Sequence, residues 1–143
     1  MDSEIVKRFF EADAQKINEN VSLLTACRWK IIKIEFPIIA ISMIHPQSLK
    51  EYYFMFTYDD IPISLQVVNH DTFLPAPFSE WPQGQYFLSE HSTTHKPFLC
   101  APGIKEYHTH SSHSSEAFNY TTGEFRLPSV VDTVYSHFLK TNG

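Results

Sequence analysis

The spacing of apolar side chains divides the chain into stretches of different period. Ile5, Phe9, Ala12, Ile17, Val21 and Leu24 recur at roughly helical intervals, with no Gly or Pro between them, and predict an amphipathic helix over residues 3–24. Ser3 suits its N-cap, and the acidic Asp2 and Glu4 suit the start of a helix dipole. From residue 29 the period drops to two. Trp29, Ile31 and Lys33 fall on one side of an extended segment over 29–35, and Lys30, Ile32 and Ile34 on the other. A β-branched run follows over 38–44, with Pro37 marking a bend or a strand edge. His45-Pro46-Gln47-Ser48 reads as a turn, the alternating aromatics of 51–58 as a strand, Asp59-Asp60-Ile61-Pro62 as a turn, and 63–68 as a further strand. Strands that follow one another so closely predict an antiparallel meander. Residues 69–96 carry Pro75, Pro77, Pro82 and Gly84 and predict loops with one short strand over 85–88. Short extended segments are expected over 97–100 and 105–110 around a Pro102-Gly103 turn, then a polar loop over 111–123. Residues 127–139 predict a closing helix, with Pro128 in its first turn and an apolar face of Val130, Val131, Val134, Phe138 and Leu139. No internal repeat is visible. The expected class is α+β: an N-terminal helix, an antiparallel β-meander, a long irregular stretch with a Cys/His segment, and a C-terminal helix.

Composition narrows the setting. The 143 residues suit one domain spanning 1–143, and 43% hydrophobic against 19% charged residues argues against disorder. Eleven Lys and Arg against sixteen Asp and Glu leave a net charge of −5 with no basic run, so no nucleic-acid partner is expected. The run 31–44 is broken by Lys33, Glu35 and Pro37 and is too short to span a bilayer, and the charged N-terminus lacks the apolar stretch of a signal peptide. No membrane partner and a cytoplasmic location follow as expectations. The two cysteines, Cys27 and Cys100, stand in unlike contexts and are expected to remain reduced thiols.

Chemistry concentrates in residues 100–113, Cys-Ala-Pro-Gly-Ile-Lys-Glu-Tyr-His-Thr-His-Ser-Ser-His. In an extended chain Glu106, His108 and His110 share one face, and the Pro102-Gly103 turn can bring Cys100 back towards them, with His113 as a further donor. Thiolate, imidazole and carboxylate together suit Zn²⁺ in tetrahedral coordination. Four protein ligands would close the site, and three would leave room for water and for hydrolysis with Glu106 as base, although no hydrolase motif matches the spacing. The alternative for His108, His110 and His113 is that they are solvated side chains of a Ser/Thr-rich loop. Cys100 equally suits a nucleophile whose thiolate is favoured by neighbouring His, or a small buried hydrophobe. Cys27 fits the latter. His45, His70 and His137 are expected in a turn, a loop and the last helix. His91 and His95 are expected at the surface, within possible reach of Cys100. Trp81 among its prolines fits either an aromatic docking surface or packing.

The order of elements resembles the ubiquitin-conjugating (E2) fold. Residues 29–44 are similar to its first strands, 54–68 to the strand, turn and strand that follow, Pro97-Phe98-Leu99-Cys100 to the region of its active-site cysteine, and 123–139 to the segment opening its later helix. Cys100, Glu106, His108 and His110 resemble the quartet that names a bacterial family of predicted metal-binding domains, the Cys-Glu-His-His family. That family is associated with gene clusters encoding ubiquitin-like proteins, E1-like activating enzymes and JAB-type peptidases, and with antiviral defence. The resemblance implies an E2-like carrier that holds a ubiquitin-like modifier as a thioester on Cys100. Its partners would be an E1-like enzyme, the modifier and a protein target. His108 or His110 would serve as base or oxyanion donor, oriented by Glu106, and no cofactor would be required. It equally allows a non-catalytic adaptor with zinc on Cys100, Glu106, His108 and His110. One departure stands out. The E2 pattern places His-Pro-Asn about ten residues before its cysteine, and this chain has Glu90-His91-Ser92-Thr93-Thr94-His95 there, without the Asn that helps stabilise the oxyanion. His108 or backbone N–H groups near the Pro102-Gly103 turn would have to supply that donor.

Overall fold

In a computed structural model, which describes residues 1–19, 29–113 and 126–143, the chain is an α+β protein in the expected order. Helix α1 spans Ser3–Glu19. The strands are β1 Trp29–Glu35, β2 Ile38–Ile44, β3 Glu51–Thr57 and β4 Ser64–Val68, joined as an antiparallel meander in the order β1-β2-β3-β4. A short ribbon pairs β5 Phe87–Leu88 with β6 Phe98–Leu99. Helix α2 covers Lys105–Thr109, and α3, Leu127–Leu139, closes the chain. The expected continuation of the first helix to Leu24, Cys27 and most of the polar loop before Arg126 lie outside the described residues.

Alternation puts Ile39, Ile41 and Met43 of β2, Tyr52, Phe54 and Phe56 of β3, and Leu65 and Val67 of β4 on one face of the sheet, all buried. Against this face lie Val6, Phe10 and Ile17 of α1 and Leu127, Val130, Val131, Val134 and Phe138 of α3, in one continuous cluster. The Phe138 ring stands edge-on to Tyr52 and Phe54, with centroids 5.5 and 5.6 Å away. Both helices thus bury apolar stripes on the same sheet, and each fully buried Phe or Leu contributes about 1.5–3 kcal/mol from removal of its surface from water.

Strand β1 departs from simple alternation. Its register with β2 slips between Ile31 and Lys33. This bulge turns Ile32 outward to 37% exposure and brings Ile34, rather than Lys33, onto the core face with Trp29 and Ile31. One extra residue inverts the sidedness of everything after it, so the two-residue period over 29–35 assigned Lys33 and Ile34 to the wrong faces. The other end of the sheet is capped. Along the outer edge of β4, Lys105 N–H donates to the Ile63 carbonyl at 2.7 Å, Leu65 N–H to a Glu106 carboxylate oxygen at 2.9 Å, and Ala76 N–H to the Val67 carbonyl at 2.9 Å.

Three loops share one six-residue design, over 45–50, 69–74 and 91–96. In each, the first residue's N–H donates to the sixth residue's carbonyl and the fifth residue's N–H to the first carbonyl, all at 2.8–2.9 Å. The first side chain, Nδ1 of His45 or His91 or Oδ1 of Asn69, accepts the N–H groups of the third and fourth residues. The hydroxyl of Ser48, Thr72 or Thr94 accepts the sixth N–H. Leu49, Phe73 and His95 take the left-handed conformation, at φ 62°, 58° and 59°. His45 and His91 are fully buried, and because Nδ1 accepts N–H groups, Nε2 carries the ring proton and donates outward. His45 reaches the Thr141 carbonyl at 3.0 Å and His91 the Glu106 carbonyl at 2.8 Å. Asn69 has no second ring nitrogen with which to reach out.

Candidate active site around Cys100

The site hangs on the β5–β6 ribbon. Phe87 pairs with Leu99 and Leu88 with Phe98, and Cys100 N–H donates to the Tyr86 carbonyl at 2.8 Å, so Cys100 sits opposite Tyr86 one residue beyond the ribbon. Phe98 and Leu99 are buried and anchor the segment, while Cys100 is half-buried. After it the chain turns at Pro102 and Gly103. Gly103 takes φ 92°, a conformation that glycine adopts without a Cβ penalty.

Residues 105–110 are not the extended segment expected from the Glu106, His108, His110 alternation. Tyr107 and His108 N–H groups both reach back to the Ile104 carbonyl, and Lys105–Thr109 form the short helix α2. At about 100° per residue a helix sets Glu106 and His108 on nearly opposite sides, so the shared face is lost. Each member of the quartet accordingly has its own environment. Glu106 is 8% exposed and aims at β4, where it accepts Leu65 N–H and the Ser64 hydroxyl. Burial raises its carboxyl above the usual value, and those two donors oppose the rise. His108 Nε2 accepts Gly103 N–H at 3.0 Å and braces the turn after Cys100. His110 stacks on Phe98, with centroids 5.4 Å apart and planes at 21°, and its Nδ1 lies 2.7 Å from the Ser112 hydroxyl.

The ring that reaches Cys100 is His113. Its Nε2 lies 3.8 Å from Sγ, and the imidazole is held flat on Tyr107, with centroids 4.0 Å apart and planes at 15°. His113 N–H donates to the His110 carbonyl, a turn that swings the ring back over the ribbon. Among the described residues no three His, Cys, Asp or Glu side chains come together as a metal cluster, and Cys100 with His113 is the sulfur–nitrogen pair in closest reach. The pair can move a proton: a thiol this close to an imidazole can pass its proton to Nε2 as it attacks a carbonyl carbon.

His91 is the supporting residue that spacing did not reveal. It is buried, not at the surface, and its Nε2 faces α2. Its Nε2–H to the Glu106 carbonyl and its edge-on contact with Phe98, at 4.9 Å, tie loop 91–96 to both α2 and β6. The readable signal was Thr94 three residues later, the same spacing as His45 with Ser48 and Asn69 with Thr72. His70 and His95 are exposed and contact Asp71 and Glu90, and His137 lies on α3. Trp81 is 1% exposed with Nε1–H on the Ala76 carbonyl, which makes it packing rather than a docking surface. No helix among the described residues is long and apolar enough to cross a membrane. Compared with protein-family models and with curated proteins, the chain finds no match in either.

Proposed function

We propose that this protein is an E2-like carrier in a bacterial ubiquitin-like conjugation pathway, with Cys100 as its nucleophile. The observation that carries the reading is the Cys100–His113 pair: a half-buried thiol on an anchored ribbon, 3.8 Å from an imidazole that is stacked in place. The order of one helix, a four-stranded meander, a cysteine after a long irregular stretch, and a closing helix supports it. In the first step the Cys100 proton passes to His113 Nε2. The sulfur attacks the carbonyl carbon of the modifier's thioester on an E1-like enzyme, and that enzyme's thiolate leaves with the electron pair and takes up a proton. In the second step a target amine attacks the new thioester, the Cys100 thiolate leaves with the electron pair, and the proton lost by the amine returns to that sulfur as the amide forms. His113 takes the base role that the quartet pattern gave to His108 or His110. Glu106 and His108 hold the segment in shape, and Gly103 N–H would have to leave His108 Nε2 to serve as oxyanion donor in place of the absent Asn.

The alternative is a zinc-holding adaptor. Cys100 and His113 would supply the first two donors, and His110, with centroid 6.3 Å from that of His113, the next nearest ring. The test is charging by the E1-like enzyme and modifier, read as a band shift removed by reducing agent. The carrier reading expects the adduct in wild type, none in Cys100→Ala, and about a hundredfold slower formation in His113→Ala. An adduct that survives Cys100→Ala refutes it. About one zinc per chain by elemental analysis, lost in Cys100→Ala and with no adduct in wild type, would establish the adaptor instead.

A further inference from the structure

The half-exposed flank of the ribbon beside Cys100 carries polar groups that the transfer chemistry leaves unused. Tyr86 is directly across from Cys100, so by the pairing of Phe87 with Leu99 the two side chains project from the same face. The end of α3 presents two cationic or ionisable groups to the Tyr86 ring. His137 stands edge-on to it at 4.7 Å, and the Lys140 ammonium lies over it at 5.8 Å. His137 Nδ1 is committed to the Thr133 carbonyl at 2.8 Å, which directs Nε2 away from the helix. Among the described residues the Tyr86 hydroxyl, His137 Nε2 and Lys140 Nζ have no hydrogen-bond or ion-pair partner. The carboxylate of α3, Asp132, is five residues before His137 and so about 140° round the helix. The carboxylate of loop 91–96's approach, Glu90, is held by His95 at 3.0 Å. In a chain of net charge −5, this corner brings together a cation, an imidazole and a phenol, and among the described residues none of the three is paired with an acid.

We propose that Tyr86, His137 and Lys140 form an anion-recognition subsite next to Cys100. It selects a modifier whose tail carries a carboxylate side chain close to the thioester-forming end. The choice of partner rests on the carrier reading, whereas the subsite itself does not. Lys140 supplies the charge and Tyr86 O–H a donor for the carboxylate oxygens, with the His137 ring packed against Tyr86 to hold it in place.

The test uses the full chain in a Cys27→Ser background, so that Cys100 is its single thiol. The probes are two methanethiosulfonates of similar size, the anionic sulfonatoethyl and the cationic trimethylammonioethyl reagent. In each reaction the Cys100 thiolate bonds to the sulfenyl sulfur, and methanesulfinate leaves with the electron pair. The ratio of anionic to cationic rate constants, relative to the same ratio for 2-mercaptoethanol, reads the local charge and cancels changes in intrinsic thiol reactivity. Wild type is expected to favour the anion. Removing one charge at about 10 Å alters each rate roughly twofold in opposite directions, so Lys140→Gln should lower the ratio about fourfold and Lys140→Glu, a change of two charges, about sixteenfold, with about 0.5 M NaCl collapsing the preference. A ratio indifferent to both Lys140 variants overturns the subsite. If the ratio responds but the modifier never charges Cys100, the subsite stands and the carrier reading falls. If charging proceeds with an unresponsive ratio, the carrier reading stands and the subsite falls.

Discussion

Asp13 is the buried acid on which the two long helices meet, and its removal can be worked through in numbers. It lies on α1 at 4% exposure. Tyr58 O–H donates to its Oδ2 at 2.8 Å, and Arg126, just before α3, donates Nε–H to Oδ1 at 2.9 Å. Arg126 Nη2 lies 2.8 Å from the same oxygen, as an ion contact rather than an aligned hydrogen bond. Three substitutions disturb this arrangement in three different ways. Arg126→Ala leaves the carboxylate buried with only a phenol for company and loses the guanidinium over Phe9 at 4.5 Å, for a cost of about 3–5 kcal/mol. Asp13→Ala strands the Tyr58 hydroxyl, while Arg126, whose side chain is 26% exposed, can turn to water, so the cost is about 2–4 kcal/mol. Tyr58→Phe removes one neutral donor from a carboxylate that keeps its arginine, at about 1–1.5 kcal/mol. Equilibrium unfolding in urea, followed by the fluorescence of buried Trp29 and Trp81, measures all three without adding an ionic denaturant that screens the pair. Arg126→Ala should be the most damaging and Tyr58→Phe the least. A loss below about 1 kcal/mol for Arg126→Ala, or a larger loss for Tyr58→Phe than for Arg126→Ala, would refute the view that the uncompensated buried charge sets the order.

Further expectations follow from the same contacts. Burial and the neighbouring Asp13 hold the Tyr58 phenol well above its ordinary value. Its contribution is therefore complete below about pH 10 and is lost as pH rises beyond that, and an absorbance titration should show Tyr58→Phe flattening the alkaline fall in stability. The raised Glu106 carboxyl works on the acid side with the same sign: the protonated form is favoured in the fold, so stability declines as pH rises through the folded-state value. Glu106→Gln keeps an oxygen for Leu65 N–H, so it should leave melting temperature little changed near pH 4 and raise it near pH 7, and a lowered value at pH 7 would refute this. His91→Asn should preserve loop 91–96, as Asn69 does for its own loop, while releasing the Glu106 carbonyl. A cost of about 1–2 kcal/mol is expected, with faster amide exchange in α2 and unchanged exchange at Thr93 and Thr94.

The helices and the meander were legible because their patterns run long enough to distinguish a period of 3.6 from one of 2: Ile5 to Ile17 in α1, and Tyr52, Phe54 and Phe56 in β3. Five residues do not suffice. Glu106, Tyr107 and His108 alternate as a strand would, but Ile104 supplies a carbonyl for the first turn of a helix, and that dispersed the quartet. Lys33 and Ile34 misled for a related reason, since a bulge leaves the composition of a strand intact and changes only its facing. Within the site, the reactive segment and Cys100 were identifiable from residue types. That His113, not His108 or His110, lies against the sulfur depends on the turn 110–113 and on stacking with Tyr107, neither of which spacing encodes.

The paired ring nitrogens of His45 and His91 also bear on the order in which the molecule becomes native. Each loop closes over six neighbouring residues and can do so early, because little chain entropy is lost in bringing them together. The same imidazole, its proton already directed to Nε2 by that closure, is then a ready donor for segments that arrive later, 96 residues away for His45 and 15 for His91. On unfolding the sequence runs in reverse. The long reach should fail first, so α2 detaches from loop 91–96 and β4 as a unit while that loop stays shut, keeping a receptor in place for its return.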